Sequence, residues 1–286
     1  MNASNKLSTD LNRLLKSQNF KNEQELQTFL SNLVGQTIPE FEPEALSNEE
    51  KAEDLIFEAY ELQGEEAFGN VLEALHLDHD CIPAYEFLGA MQAIHVLAVP
   101  YYAYGIELGR KKFAKEIKSQ RGHFWSIHET RPFMRCMINY AICLVTMNDI
   151  DSAMEVYKEI IALNKGDNMG VRNQYGLLLI SKKMYNEYLK LDKQFHFESS
   201  PEACFNRLLH SYVTTGESQQ TVDLITKAKM QNKYFIGVLT SKSRPKSIPN
   251  SYEVGSKDEA LIYGDYAYNI WHDVEGAIAF LNKHKK

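Results

Sequence analysis

Polar turns separate helix-forming segments at a regular spacing along this chain, and that spacing is the tightest constraint on its fold. "MNDIDSAMEVYKEIIALNKGD" places Ala153 three to four residues after its turn. "SKKMYNEYLKLDKQF" places Tyr188 at the equivalent point and "TTGESQQTVDLITKAK" places Val222 there, at steps of 35 and 34 residues. Upstream, "LQGEEAFGNVLEALHLDHD" sets Ala67 in the same surroundings. Repeats of this length are single supersecondary units that bury their apolar faces only by stacking on one another. Apolar residues recur at three- and four-residue steps: Ile138, Ala141, Ile142 and Val145 form one stripe, and Ala153, Val156, Tyr157 and Ile160 another. Between them, Asn148-Asp149-Ile150-Asp151 reads as a tight turn with capping residues, which makes the pair a helical hairpin.

These units resemble tetratricopeptide repeats, whose period is about 34 residues and whose second helix carries a small residue where the two helices cross. The resemblance is degenerate. Lys165 and His79 stand where an exit proline is usual, and bulky Tyr188 and Val222 imply wider helix spacing at their crossings. The expected fold is all-α: an α-α superhelix of degenerate tetratricopeptide-like hairpins with capping helices at both ends. Residues 1–46 are read as an N-terminal helical cap with the connector "IPEFEPEAL", 47–240 as the repeat domain, and 241–286 as a Pro/Ser-rich loop followed by two capping helices. From Ala90 to Gln120 the repeat register is lost, and Pro100 is expected to break or open a helix.

Composition narrows the class further. An apolar fraction of 44% supports a sizeable core. Four cysteines (Cys81, Cys136, Cys143, Cys204) without a C-x-x-C suit a reducing compartment, and no secretory or membrane-spanning segment is readable, so a cytoplasmic location is expected. The net charge of −7 argues against a nucleic-acid partner. Its distribution is uneven: residues 40–80 carry fourteen acidic side chains against Lys51, whereas 110–135 carry eight basic ones against Glu116 and Glu129. Opposed blocks of this kind attract each other within a fold or offer surfaces to different partners.

Two blocks stand out from the repeats. "GHFWSIHETRPFMR" gathers Gly122, Phe124, Trp125, Glu129, Thr130, Arg131, Pro132 and Arg135, and "LNKGDNMGVR" gathers Leu163, Asn164, Asp167, Asn168, Gly170, Val171 and Arg172. With Gly255, Glu259, Tyr263 and Trp271 in the C-terminal part, they resemble the suppression-of-tumorigenicity family of tetratricopeptide-like proteins, particularly its bacterial members. The resemblance covers roughly residues 50–282. It implies an all-α repeat architecture and carries over no enzymatic activity.

Local chemistry makes Thr130 an N-cap with Pro132 in the first turn, and sets Arg131 and Arg135 on one helical side. If equivalent turns of adjacent hairpins meet, Glu129, Arg131, Arg135, Asp167, Asn168 and Arg172 share one polar cluster. In one reading, Glu129 and Asp167 pair with the arginines and pin the repeats, with Phe124 and Trp125 as a wedge. In the other, Arg131, Arg135 and Arg172, with Asn168, Tyr140 and Tyr175 as groove neighbours, hold an acidic or phosphorylated segment of a protein partner. The function expected is an interaction scaffold without catalysis or cofactor. Its alternatives are an enzyme or binder acting on a small anionic ligand at Glu129, Arg131, Arg135 and Arg172, and a secreted bacterial effector on the same scaffold. His76, His79 and Cys81 offer half a ligand set at a repeat exit, and no metal site is expected. His123 and His128 have no accompanying nucleophile motif, and Cys136 and Cys143 are read as core residues.

Overall fold

In the computed structural model, which describes residues 10–38 (apart from 12 and 16), 46–195 and 199–285, every regular element is a helix. The first half holds α1 (Glu23–Leu33), α2 (Asn48–Ala59), α3 (Gly64–Leu77), α4 (Ile82–Ala90), α5 (His95–Lys112), the short α6 (Glu116–Ser119) and α7 (Arg131–Thr146). The second half holds α8 (Ile150–Leu163), α9 (Val171–Ser181), α10 (Tyr185–Gln194), α11 (Pro201–Thr215) and α12 (Gln219–Gln231). It ends with the short α13 (Phe235–Leu239), then α14 (Lys257–Asp273) and α15 (Ala277–Lys283). Among the described residues no strand forms; isolated bridges join Gly122 and His123 to Asn164. The all-α class read from periodicity is the class adopted. The connector at 39–45 lies outside the described residues. Two compact units divide the chain: Met1–Lys115 with His128–Cys143, and Glu116–Ile127 with Leu144–Lys286.

In the first unit, the apolar stripe Ala52, Ile56 and Ala59 of α2 meets the stripe Ala67, Val71 and Ala74 of α3, and Cys81, Ala84 and Phe87 close the cluster from α4. Each stripe advances by four and then three residues, one face of a 3.6-residue helix. α2 starts on a reciprocal cap, in which Ser47 accepts from the Glu50 amide while Glu50 accepts from the Ser47 amide. α5 runs through Pro100, contrary to the expected break. The proline lies only six positions into the helix and faces solvent, so the N–H it lacks would have bonded a carbonyl in the first turn. α5 then lies against α7 at two glycines. A Cβ at Gly105 would sit 2.7 Å from Cys136 Sγ, and one at Gly109 would overlap the Phe133 ring.

The second unit is built from α8–α9, α9–α10 and α11–α12 contacts, with α14 packed on α9 and α13. Ala67, Ala153 and Tyr188, placed at crossings by the repeat period, are all buried. Val222 is only half-buried; its neighbour Thr221 takes the interior position and exchanges a 2.8 Å hydrogen bond with Ser211. The bulk of Tyr188 meets a residue without a side chain. The opposing residue is Gly176, where a Cβ would already be 3.3 Å from the tyrosine ring. A buried polar chain joins α14, α11 and α9: Trp271 Nε1 donates to Tyr263 (3.1 Å), Tyr263 to Asn206 Oδ1 (3.0 Å), and Asn206 Nδ2 to the Asn173 carbonyl (2.8 Å). Buried polar atoms satisfied in series fix relative helix positions, because any slip strands a donor away from water.

Gly109→Ala is expected to destabilise the protein by about 1–3 kcal/mol in urea unfolding, because its methyl group overpacks the Phe133 contact. Adding Phe133→Leu should recover part of that loss.

Candidate functional site

The start of α9 is shaped by a four-residue turn, Asp167-Asn168-Met169-Gly170. Asp167 (φ 46°) and Gly170 (φ 70°) both adopt left-handed backbone, and the Gly170 amide returns to the Asp167 carbonyl at 2.9 Å. Glycine tolerates that conformation freely and Asp better than most residues. Gly170 has no side chain to cap the helix. Asp167 does so from three residues earlier, accepting from the amides of Val171 (2.9 Å) and Arg172 (3.1 Å). The same carboxylate accepts from Arg172 Nη1 at 2.8 Å with its side chain fully buried. Burial still holds the Asp167 carboxyl above the ordinary carboxylate range, with the bonds from Arg172 and Val171 opposing it. Arg172 also lies over the Phe195 ring, 5.4 Å from its centroid.

Beyond this turn lies a groove of about 570 Å³ confined to the second unit. Its walls come from the start of α9 (Arg172, Asn173), the start of α11 (Ser200, Glu202), Gln231 at the end of α12, Tyr252 and Val254 in the loop, and Glu259, Ile262 and Tyr266 on α14. The volume is within the usual range for small-ligand and side-chain pockets. Glu259 is 2% exposed. Its Oε2 accepts from Asn232 Nδ2 and the Gly255 amide, each at 2.8 Å, which anchors the loop to α14. Gly255 needs its φ of 80° to turn that amide inward. Glu202, in the first turn of α11, sits above the usual carboxylate range. Burial is the main cause and nearby Glu259 adds to it, while hydrogen bonds from its own amide and Ser200 and the charge of Arg172 pull the other way. Burial likewise raises the Tyr266 hydroxyl.

The arginines nominated by sequence are largely engaged within the protein. Arg135 makes a two-pronged ion pair with Glu86, Nε to Oε1 at 2.6 Å and Nη2 to Oε2 at 2.7 Å, and Glu86 is only 6% exposed. This pair belongs wholly to the first unit, with Tyr60 and Cys136 nearby; Arg172 is held by Asp167 within the second. Each arginine therefore has its carboxylate in its own unit. The acids expected to serve the arginines were Glu129 and Asp167; Arg135 is served by Glu86, a residue in an apolar stretch that gave no local signal. Glu129 and Arg131 are half-buried around the start of α7, which begins directly after fully buried Thr130. Tyr140 is half-buried on α7; Tyr175 is half-buried on α9, 6.5 Å from the Tyr157 ring, and Asn168 is exposed in its turn.

The two sequence blocks do meet, through backbone. The Gly122 amide donates to the Leu163 carbonyl and its carbonyl accepts from the Lys165 amide, both at 3.0 Å, with Phe124 fully buried and Trp125 half-buried beside them. Gly122 has φ 104°, and a Cβ there would lie 3.1 Å from the Lys165 side chain. The opposed charge blocks also touch, as Lys112 of the basic stretch pairs with Glu49 of the acidic one.

Sequence reasoning passed over the contact between Cys143 Sγ and His95 Nδ1 at 3.5 Å. Burial raises the thiol, the opposite of what an activated nucleophile needs. Cys81 is a core residue whose thiol is pushed up to about 12 by burial. Among the described residues no group of three His, Cys, Asp or Glu side chains could hold a metal ion. No described helix is long and apolar enough to cross a membrane. Comparison with known proteins finds no matching family model, no matching characterised protein and no matching solved structure.

Asp167→Ala should lower stability by about 3 kcal/mol or more in urea unfolding, since it strips the cap from α9 and the counter-charge from a mostly buried guanidinium. Asp167→Asn keeps the cap acceptor and the left-handed backbone and should cost clearly less. Glu202 carries a raised pKa in the folded chain, so its stabilising contribution is present at low pH and lost as pH rises through the folded value. Glu202→Gln is therefore expected to raise the melting temperature at about pH 7.5 and leave it nearly unchanged at about pH 4.

Proposed function

We propose that this chain is a helical-repeat interaction module without catalysis of its own, tetratricopeptide-like in the stacking of its hairpins, which holds a segment of a partner protein in the groove of its second unit. The observation that carries the reading is the groove itself. Its walls combine amide, hydroxyl, carboxylate and aromatic groups from four helices and one loop. Such a lining suits an extended peptide, which presents alternating backbone polar groups and side chains. Three supports come from elsewhere. Ala153 and Tyr188, one 35-residue step apart, are both buried. The blocks that resemble the suppression-of-tumorigenicity proteins frame α7 and α9. The groups with most catalytic potential are already engaged within the protein: Cys143 is buried, and Arg135 and Arg172 hold carboxylates.

The anionic guest expected at Arg131, Arg135 and Arg172 loses support, because Arg135 and Arg172 already hold carboxylates at 2.6–2.8 Å. A second anion would have to share each guanidinium with a carboxylate already bonded to it, whose charge opposes its arrival.

Selection of a random peptide display library on the intact chain tests the reading. Recovered peptides should share a short pattern, and their binding should drop on Tyr252→Ala and on Gln231→Ala, two exposed groove residues whose loss leaves melting unchanged. Recovered peptides indifferent to both substitutions, or no recovered sequence at all, would overturn it.

A further inference from the structure

The charge inside the groove points to the kind of side chain it receives. Three ionisable side chains line it among the described residues: Arg172, Glu202 and Glu259. Arg172 already bonds buried Asp167 and also acts on Glu202, so the two lining carboxylates, with Asp167 behind them, outnumber the lining cation. They are close enough for Glu259 to raise Glu202, and Tyr252 also feels both charges. Glu259 is almost fully buried, and both of its hydrogen bonds converge on Oε2. Among the described residues, Oε1 accepts none. A buried carboxylate with one oxygen unengaged, facing a groove that holds a second carboxylate, is an arrangement that a cation would stabilise. The remaining lining matches such a guest. Tyr252, 47% exposed, and Tyr266 offer ring faces, and Ile262 and Val254 offer apolar surface for an alkyl stem.

We propose that the groove is a receptor for a lysine or arginine side chain of the bound segment, with its cationic head set against Glu202 and Glu259 and its stem along Tyr252, Ile262 and Tyr266. The inference rests on the peptide-binding reading above and reverses the sign of partner charge that the arginine blocks suggest in the sequence. It carries a pH signature. Glu202 faces Arg172 from α9, Glu259 from α14, Tyr252 from the loop, and Ser200 from its own helix start. A cation arriving there favours the ionised carboxylate, so binding should release a proton and weaken as pH falls through the raised Glu202 range.

The test is calorimetric titration of the intact chain with four short peptides, identical except for a central lysine, arginine, norleucine or glutamate. The lysine and arginine peptides should bind about tenfold or more tighter than the norleucine peptide, the scale of one charge-assisted contact, with glutamate weakest. That preference should vanish in Glu202→Gln, and it should shrink in Tyr252→Leu, an exposed position that serves as the second variant if Glu202→Gln perturbs the fold. Lysine binding as at norleucine, or glutamate preferred, would overturn the cationic guest and leave the peptide groove standing. No binding by any of the four would remove the groove as a peptide site and the cationic guest with it.

Discussion

A helix that begins inside a protein presents amide groups that need acceptors, and a guanidinium beside it needs a counter-charge. Asp167 meets both demands with one buried carboxylate. Removing that charge from water is costly, and the cost is partly offset by three donors at the start of α9 that converge on a carboxylate presented by left-handed backbone. The position of α9 follows, and with it the placement of Arg172, Asn173 and the wall of the groove. Glu86 and Arg135 do the equivalent work in the first unit, where a two-pronged pair fixes both distance and rotation.

Around these pairs the packing follows one recurrent device, a glycine opposite an aromatic ring. Gly176 receives Tyr188, Gly109 receives Phe133, and Gly89 receives Tyr102, where a Cβ would lie 2.5 Å from the ring. A large side chain at a helix crossing is thereby compatible with close approach, provided the facing residue gives up its own side chain. Tyr188 is accommodated in this way opposite Gly176. The groove follows a different rule. Two carboxylates, Glu202 and Glu259, line it beside one cation, Arg172, which already bonds Asp167.

How far the site was legible depends on the range of the signal. Local signals were sound. The Asn-Asp turns start and stop helices where periodicity places them, Asp149 caps α8 by accepting from the Ser152 amide, and Ser218 and Ser256 cap α12 and α14 in the same way. The residues of the two conspicuous blocks do organise helix starts and, at Gly122 and Lys165, meet through backbone. Pairing was less legible. Nothing near Glu86 marks it as the counter-ion of Arg135, 49 residues later, and nothing near Glu259 marks it as a neighbour of Glu202. Thr221, not Val222, faces the interior because a helix rotation of one residue, about 100°, is invisible when both neighbours are β-branched.

The sequence by itself determined that this chain is helical and, apart from the helix through Pro100 and the face at Thr221, where many helices start and which stripes they bury, because capping, backbone preference and apolar period act within one or two turns. Asp167 and Arg172 are five residues apart, and their pairing was within reach of the sequence. The tertiary structure alone assigned Arg135 to Glu86, 49 residues away, and set Glu202 and Glu259 along one groove, because those meetings depend on how distant segments pack.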